Sequence, residues 1–198
     1  MKLLLIRHGQ SEADLLNVHE GRADFSLTNL GREQATKLAQ YLLNRYQVEQ
    51  IITSPMKRAA QTSEIINSVY NCGIIFEEKL MEFNNGVLAG MDRERAKQIY
   101  PLPTVGRPLT TAILQGESEL TFRQRVEFVY HEIMDTYKEM ACLAIVAHGG
   151  TINHFLNILL KNDITAPFIF PTGDTGYHEI EYKHEKVIVR VLNNQRHL

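Results

Sequence analysis

The sequence is defined first by what it has little of. Cys72 and Cys142 are its only cysteines, and neither a CxxC pair nor a mixed Cys/His ligand spacing surrounds them. Both are flanked by apolar or small residues, so buried free thiols are expected instead of a disulfide or a zinc site. Positive charge is not in excess: 21 Lys and Arg against 23 Asp and Glu leave a formal net charge of −2. No broad basic field exists to hold nucleic acid, so any anion must be bound by a local site, and a small charged ligand is the expected partner. No run of about 18 apolar residues occurs, so nothing reads as a membrane span. The opening Met1–Ile6 stretch is interrupted at once by Arg7 and His8 and is too short for a signal peptide; the chain reads as cytoplasmic.

What is present suits one domain with a modest insertion: 198 residues, 44% of them hydrophobic, enough to bury a sizeable core. Leu3 to Ile6 is an unbroken apolar run ending in a polar loop, as expected of a central strand buried on both faces. Thr28 is placed to cap a helix from about Asn29 to Tyr46, with Ala35, Leu38, Ala39, Leu42 and Leu43 on one face. Further strands are expected at Gln50–Thr53, Ile74–Phe76 and Leu143–Ala147. Ser54-Pro55 reads as a cap followed by proline at the first helical position, opening a helix to about Tyr70. Helices are also expected over about Glu119–Met140 and Thr151–Leu160, and Tyr177–Tyr182 with Val187–Leu192 reads as a closing hairpin. Its last strand offers a pairing edge for a homodimer. Between Glu82 and about Ser118 the chain is irregular, with Gly86, Gly90, Gly106, Pro101, Pro103 and Pro108, which suggests a lid packed on the core. Strands alternating with helices imply an α/β fold: a three-layer sandwich with a mostly parallel central sheet, helices on both faces and a small lid insertion, all in a single domain over 1–198.

Two histidines stand out by position. His8 and His148 each follow an apolar strand directly and precede glycine, and in open α/β sheets ligands bind where strands end at their carboxyl side. A lone strand-end histidine is more often structural; two of them, with Arg7 beside one, point to a shared site. Arg58 lies one turn into the helix after Ser54-Pro55, where the amides and dipole of a helix N-terminus favour phosphate. With Arg7 it would form a two-arginine clamp, because guanidinium forks match phosphoryl oxygens. Glu82, ahead of the glycine-rich stretch Gly86–Gly90, is a candidate acid for a leaving alkoxide. Gly116-Glu117-Ser118 reads at least as well as the N-cap of the long helix as it does as a substrate contact. No Walker-type GxxxxGK[ST], GxSxG, GxGxxG or HExxH occurs, so the nucleotide-binding, serine hydrolase and zinc protease signatures are missing, and no metal ligands are expected.

The ordered set Leu5–Glu12, Gly21 with Asp24, Leu27–Gly31, Ser54–Thr62, Glu82 with Gly86 and Gly90, Gly116–Ser118 and Ala147–Gly150 resembles the histidine phosphatase superfamily, the phosphoglycerate mutase-like proteins. A short RHG alone would be weak; the ordered set, spread over essentially the whole chain, is specific. The resemblance implies a histidine acid phosphatase-type phosphomonoesterase that hydrolyses phosphate monoesters through a phosphohistidine on His8. It implies that Glu82 protonates the departing oxygen and that Arg7, Arg58 and His148 hold the phosphoryl oxygens, without metal or organic cofactor. Its substrate contacts would come from Ser11, Asn17, Glu20, Gly21 and Gly149. Three positions depart from the family pattern. Gln10 stands for a usual glutamate, Asp14 for an asparagine that usually contacts phosphate, and Glu20 for a neutral residue. An ionised Asp14 would repel phosphate, so either it turns away or Ser11 or Asn17 substitutes. A mutase is the nearest alternative: Leu88 and Phe170-Pro171-Thr172-Gly173 resemble mutases, whereas His148-Gly149-Gly150 and Phe83 stand where mutases usually have HGN and an arginine. A non-catalytic phospho-ligand module is the alternative of another class. Phe83, Val87, Leu88 and Met91 are either an apolar lid over a hydrophobic ester or simply core.

Overall fold

Alternation along the first strand organises the molecule. In the computed structural model, which describes residues 1–104, 106–184 and 186–198, strand β1 spans Lys2–Arg7 and buries Leu3, Leu4, Leu5 and Ile6 completely. Side chains on a strand point to opposite faces in turn, so Leu3 and Leu5 join one core cluster and Leu4 and Ile6 another. The remaining strands are β2 (Gln50–Thr53), β3 (Ile74–Phe76), β4 (Cys142–Ala147), β5 (Tyr177–Lys183) and β6 (Lys186–Asn194). They form a six-stranded sheet in the order β3-β2-β4-β1-β5-β6. The β2–β3, β2–β4 and β1–β4 pairs are parallel; β5 pairs antiparallel with β1 and with β6.

The helices are α1 (Glu12–Leu16), α2 (Asn29–Leu43), α3 (Lys57–Tyr70), α4 (Arg93–Ile99), α5 (Glu119–Tyr137) and α6 (Gly149–Leu159). Leu38, Ala39 and Leu42 of α2 and Ala59 and Ile66 of α3 pack on the face of Leu4 and Ile6. Phe122, Val126, Val129 and Ile133 of α5, with Ile152, Phe155 and Leu156 of α6, cover the face of Leu3 and Leu5. This is the expected mostly parallel three-layer sandwich. Among the described residues no helix is long and apolar enough to cross a membrane. Cys72 and Cys142 are free thiols, the latter buried in the core.

Several element ends differ from the sequence reading, each for a local reason. Helix α3 begins at Lys57 instead of at Ser54-Pro55, because the Ser54 amide still continues the sheet ladder, donating to Val146 O at 3.0 Å. Helix α6 begins two residues earlier than expected, at Gly149, with His148 in the extended N-cap conformation. Helix α2 ends at Leu43, and Tyr46 beyond it packs into the core. The lid is less irregular than its glycines and prolines suggested: it contains α4, capped by Asp92, whose Oδ1 accepts from Arg95 N at 2.9 Å. Phe83, Val87 and Met91 pack there around Leu88, Ala96 and Ile113, so these residues serve as a small core. Val105, inside the expected lid, lies outside the described residues. Ser118 does cap α5, its Oγ accepting from Thr121 N at 3.1 Å.

One contact ties the loop after β1 to the helical layer. A Cβ at Gly31 of α2 would lie 2.1 Å from Gln10 O, and one at Gly9 2.5 Å from Gly31 O. Both clashes are with backbone, which cannot move aside without displacing the loop after β1. Gly31→Ala is therefore expected to lower the free energy of unfolding by about 1–3 kcal/mol, read as a fall in the denaturant midpoint at unchanged slope.

Candidate active site

The parallel register sets the site. Arg7 of β1 is the partner of Ala147 of β4, and Thr53 of β2 is the partner of Val146. The residues that follow, His8 and His148, therefore leave adjacent strand ends at one level, with Ser54 one residue short of them on β2. The His8 amide donates to Ala147 O at 3.1 Å, and the two imidazole centroids are 5.1 Å apart at 61°. Both rings are buried.

The hydrogen bonds fix the tautomer of His8. Nδ1 lies 2.8 Å from Gly9 O; a carbonyl can only accept, so Nδ1 carries the proton and Nε2 keeps a lone pair. Arg58 Nε donates to that Nε2 at 3.2 Å. Burial, then the charges of Arg58 and Arg7, hold the His8 pKa well below the usual imidazole range, so the ring stays neutral. His148 is pushed the same way by burial, then Arg58, His8 and Arg7. Its Nε2 is 2.9 Å from Ser54 Oγ, which accepts from Met56 N. With the Ser54 hydroxyl donating to Nε2, the single proton of the neutral His148 ring sits on Nδ1. Nδ1 of His148 and Nε of Arg7 are among the buried polar atoms that have no hydrogen-bond partner among the described residues, which leaves both available to a ligand.

Arg58 is completely buried on the first turn of α3. Its terminal nitrogens do not reach outward as a free fork: they donate to Ala23 O at 3.0 Å and Gly21 O at 2.9 Å, pinning the loop that carries Glu20. Arg7 donates to Thr172 O at 2.7 Å and pairs with Asp174 at 3.3 Å. Burial raises the Asp174 pKa against the pull of Arg7, and Asp14 and Glu20 add to the rise. Asp174 belongs to the loop before β5 and had no recognisable signal in the sequence.

Glu82 sits where the N-terminus of α6 can hold a carboxylate. Oε1 accepts from Phe83 N at 2.8 Å and Oε2 from Gly150 N at 2.9 Å. A wider support was not read from the sequence. Arg125 of α5 donates to the carbonyls of Lys79, Met81 and Glu82 and pairs with Glu117 at 2.7 Å, while Glu117 accepts from Asn84 N. An arginine two turns into a helix and a glutamate before its cap look like ordinary surface charges until the fold brings them under one loop.

The structure sorts the expected substrate contacts. Ser11 is buried and its hydroxyl donates to Glu20. Glu20 also approaches Arg58 Nε at 3.5 Å and His8 Nε2 at 3.9 Å, and Gly21 accepts from Arg58, so these three converge on the histidines. Gly149 opens α6 beside His148. Asn17 does not join them: it ends α1 in the left-handed conformation and lines a cavity of about 620 Å³ with His19, Leu88, Ala96, Tyr100 and Leu102. His8, His148, Arg7, Arg58 and Glu82 are absent from that lining. Asp14 turns onto its own helix N-terminus, Oδ2 accepting from Ser11 N at 2.9 Å. Gln10 faces α2, accepting from Thr28 Oγ1 at 2.8 Å.

A family model described as the histidine phosphatase superfamily (branch 1) matches residues 3–195. The chain is 28% identical over 200 residues to putative phosphoserine phosphatase 2 of Hydrogenobacter thermophilus, covering 99% of this chain and 97% of that protein. It is 32% identical over 165 residues to a 2,3-bisphosphoglycerate-dependent phosphoglycerate mutase of Cytophaga hutchinsonii, covering 80% and 77%. Among solved structures, the alpha-ribazole phosphatase from Shigella flexneri matches with a TM-score of 0.88 at 25% identity, over 98% of this chain and 97% of that one.

Gly150 is the residue on which the position of Glu82 turns. A Cβ there would lie 2.5 Å from Glu82 Oε1, the far end of a flexible side chain, so the carboxylate and not the fold would give way. Gly150→Ala should leave the melting temperature within about 2–4 °C of the parent, the shift that roughly 1 kcal/mol produces. It should lower kcat for an aryl phosphate by at least about tenfold, since small displacements of catalytic groups are costly; circular dichroism melts and steady-state kinetics check both.

Proposed function

The chain belongs to the histidine phosphatase superfamily, and on that premise we propose that it hydrolyses phosphate monoesters through a phosphohistidine formed on His8. The observation that carries this reading is the neutral His8, its proton fixed on Nδ1 and its Nε2 lone pair turned to Arg58 Nε, beside a second buried histidine whose ring centroid is 5.1 Å away. The Nε2 lone pair attacks phosphorus as the ester P–O bond breaks, and Glu82, entering the step as the carboxylic acid, gives its proton to the departing oxygen and is left as the carboxylate that the Phe83 and Gly150 amides hold. An incoming phosphoryl oxygen takes over the Arg58 Nε–H that now rests on His8. Arg7 Nε and His148 Nδ1 complete the set of donors; hydrogen bonds to charged groups are worth about 1.5–3 kcal/mol each, and these strengthen as charge develops. Water then attacks the phosphohistidine, giving its proton to Glu82, and the P–N electron pair returns to Nε2.

Relatives include both phosphatases and a mutase, and the reading here is hydrolytic: the ester is taken to orthophosphate. The wild type should release phosphate from p-nitrophenyl phosphate, and His8→Ala should lose at least about 10³-fold of that activity. With 3-phosphoglycerate, phosphate release should outpace isomerisation in a coupled assay. Faster isomerisation would move the chain to the mutases, and an unaffected His8→Ala would end the nucleophile assignment.

The buried, arginine-flanked imidazole also supports the finer reading as an acid phosphatase type. Because the His8 pKa is lowered, the ring remains an unprotonated nucleophile as pH falls through 6.5 and is lost only well below it. The acid limb of kcat/KM, which reports the free enzyme, should therefore lie below pH 6.5. A limb centred at or above that value would contradict the assignment.

A further inference from the structure

We infer that Glu20 is an internal competitor for the phosphoryl position, a carboxylate that phosphate or a phosphate ester must displace from His8 and Arg58. The inference rests on reading this cradle as a phosphate site, as proposed above. The Glu20 carboxylate accepts from Ser11 Oγ, lies 3.5 Å from Arg58 Nε and 3.9 Å from His8 Nε2. A phosphorus bonded to Nε2 carries oxygens of its own on that side of the ring, and Glu20 Oε2 stands where one of them must go. The carboxylate thus meets a hydroxyl, a guanidinium N–H and the nucleophile, the same kinds of group that a phosphoryl oxygen would meet.

The contact is not one the fold needs to hold Arg58 in place. That guanidinium is already anchored by Gly21 O and Ala23 O, and only its Nε is shared between His8 and Glu20. Nor is the carboxylate locked: the Glu20 side chain is 18% exposed, so rotation about its own torsions carries it toward water. Its neighbours add to the competition. Arg7 faces Asp174 at 3.3 Å, and Asp14 lies close enough to act on Asp174. Both arginines that would meet a phosphate dianion therefore already face a carboxylate. The consequence is weak retention of orthophosphate, which frees the site of product between turnovers.

Calorimetric titration with orthophosphate at fixed pH and ionic strength tests this. Glu20→Gln keeps the shape and can still accept from Ser11 while removing the charge. Relieving one like charge at this range should tighten the phosphate Kd by about tenfold or more, with the KM for p-nitrophenyl phosphate falling in parallel. Glu20→Ala should tighten it as well, and decides the matter by the same criterion if the glutamine variant does not fold. An unchanged or weaker phosphate affinity in the folded variant overturns the inference, since it would make Glu20 a bystander or a contact that phosphate needs. Titration reads binding without turnover. A protein that binds phosphate, tightens on substitution and hydrolyses nothing would therefore refute the hydrolytic reading while leaving the competitor in place.

Discussion

Arg7 stands opposite Ala147 in a parallel pair at the centre of the sheet, and everything at the site follows from that one register. The next residue on each strand is a histidine, so both imidazoles leave the sheet side by side. β2 lies on the other side of β4 and ends one step away, which brings Ser54 against His148 and starts α3 so that Arg58 reaches His8. A one-residue slip of β1 would send its apolar side chains to the wrong faces and separate the histidines. The four fully buried residues Leu3–Ile6 make such a slip very costly, so the core that stabilises the fold also aligns the chemistry.

Burial decides the charge states. Removed from water and facing two arginines, His8 and His148 are held neutral, and a neutral imidazole with its proton on Nδ1 is the form that can attack phosphorus. The same low-dielectric setting makes unpaired positive charge expensive, and the protein answers with carboxylates: Asp174 against Arg7, Glu20 against Arg58. Affinity for an anion is then a balance between cations and the protein's own anions, not a property of the arginines alone.

Glu82 shows how far the position of the proposed acid depends on residues further from the histidines. Its carboxylate is held by two backbone amides, its loop by Arg125 through three carbonyls, and Arg125 by Glu117. Gly150 leaves the space that the carboxylate occupies. The lid contributes its own small core around Leu88 and Ala96, so the apolar residues after Glu82 are explained by packing.

Local pattern alone carried the strands, the long helices, the mostly parallel layering and the His-Gly loops at strand ends, because apolar periodicity and strand-end chemistry are properties of neighbouring residues. It also located Arg7, His8, Arg58, Glu82 and His148 as candidates. It missed α4, whose cap Asp92 lies among glycines and prolines, and misjudged the start of α3, where the sheet ladder extends through Ser54. Only the tertiary structure decided that Asn17 faces a separate cavity, that Asp14 folds back onto its own helix, that Asp174 meets Arg7 and that Glu20 lies against His8. These contacts join residues far apart in the chain, or depend on which of several rotamers the surroundings permit, and neither register nor rotamer is written in any short stretch of sequence.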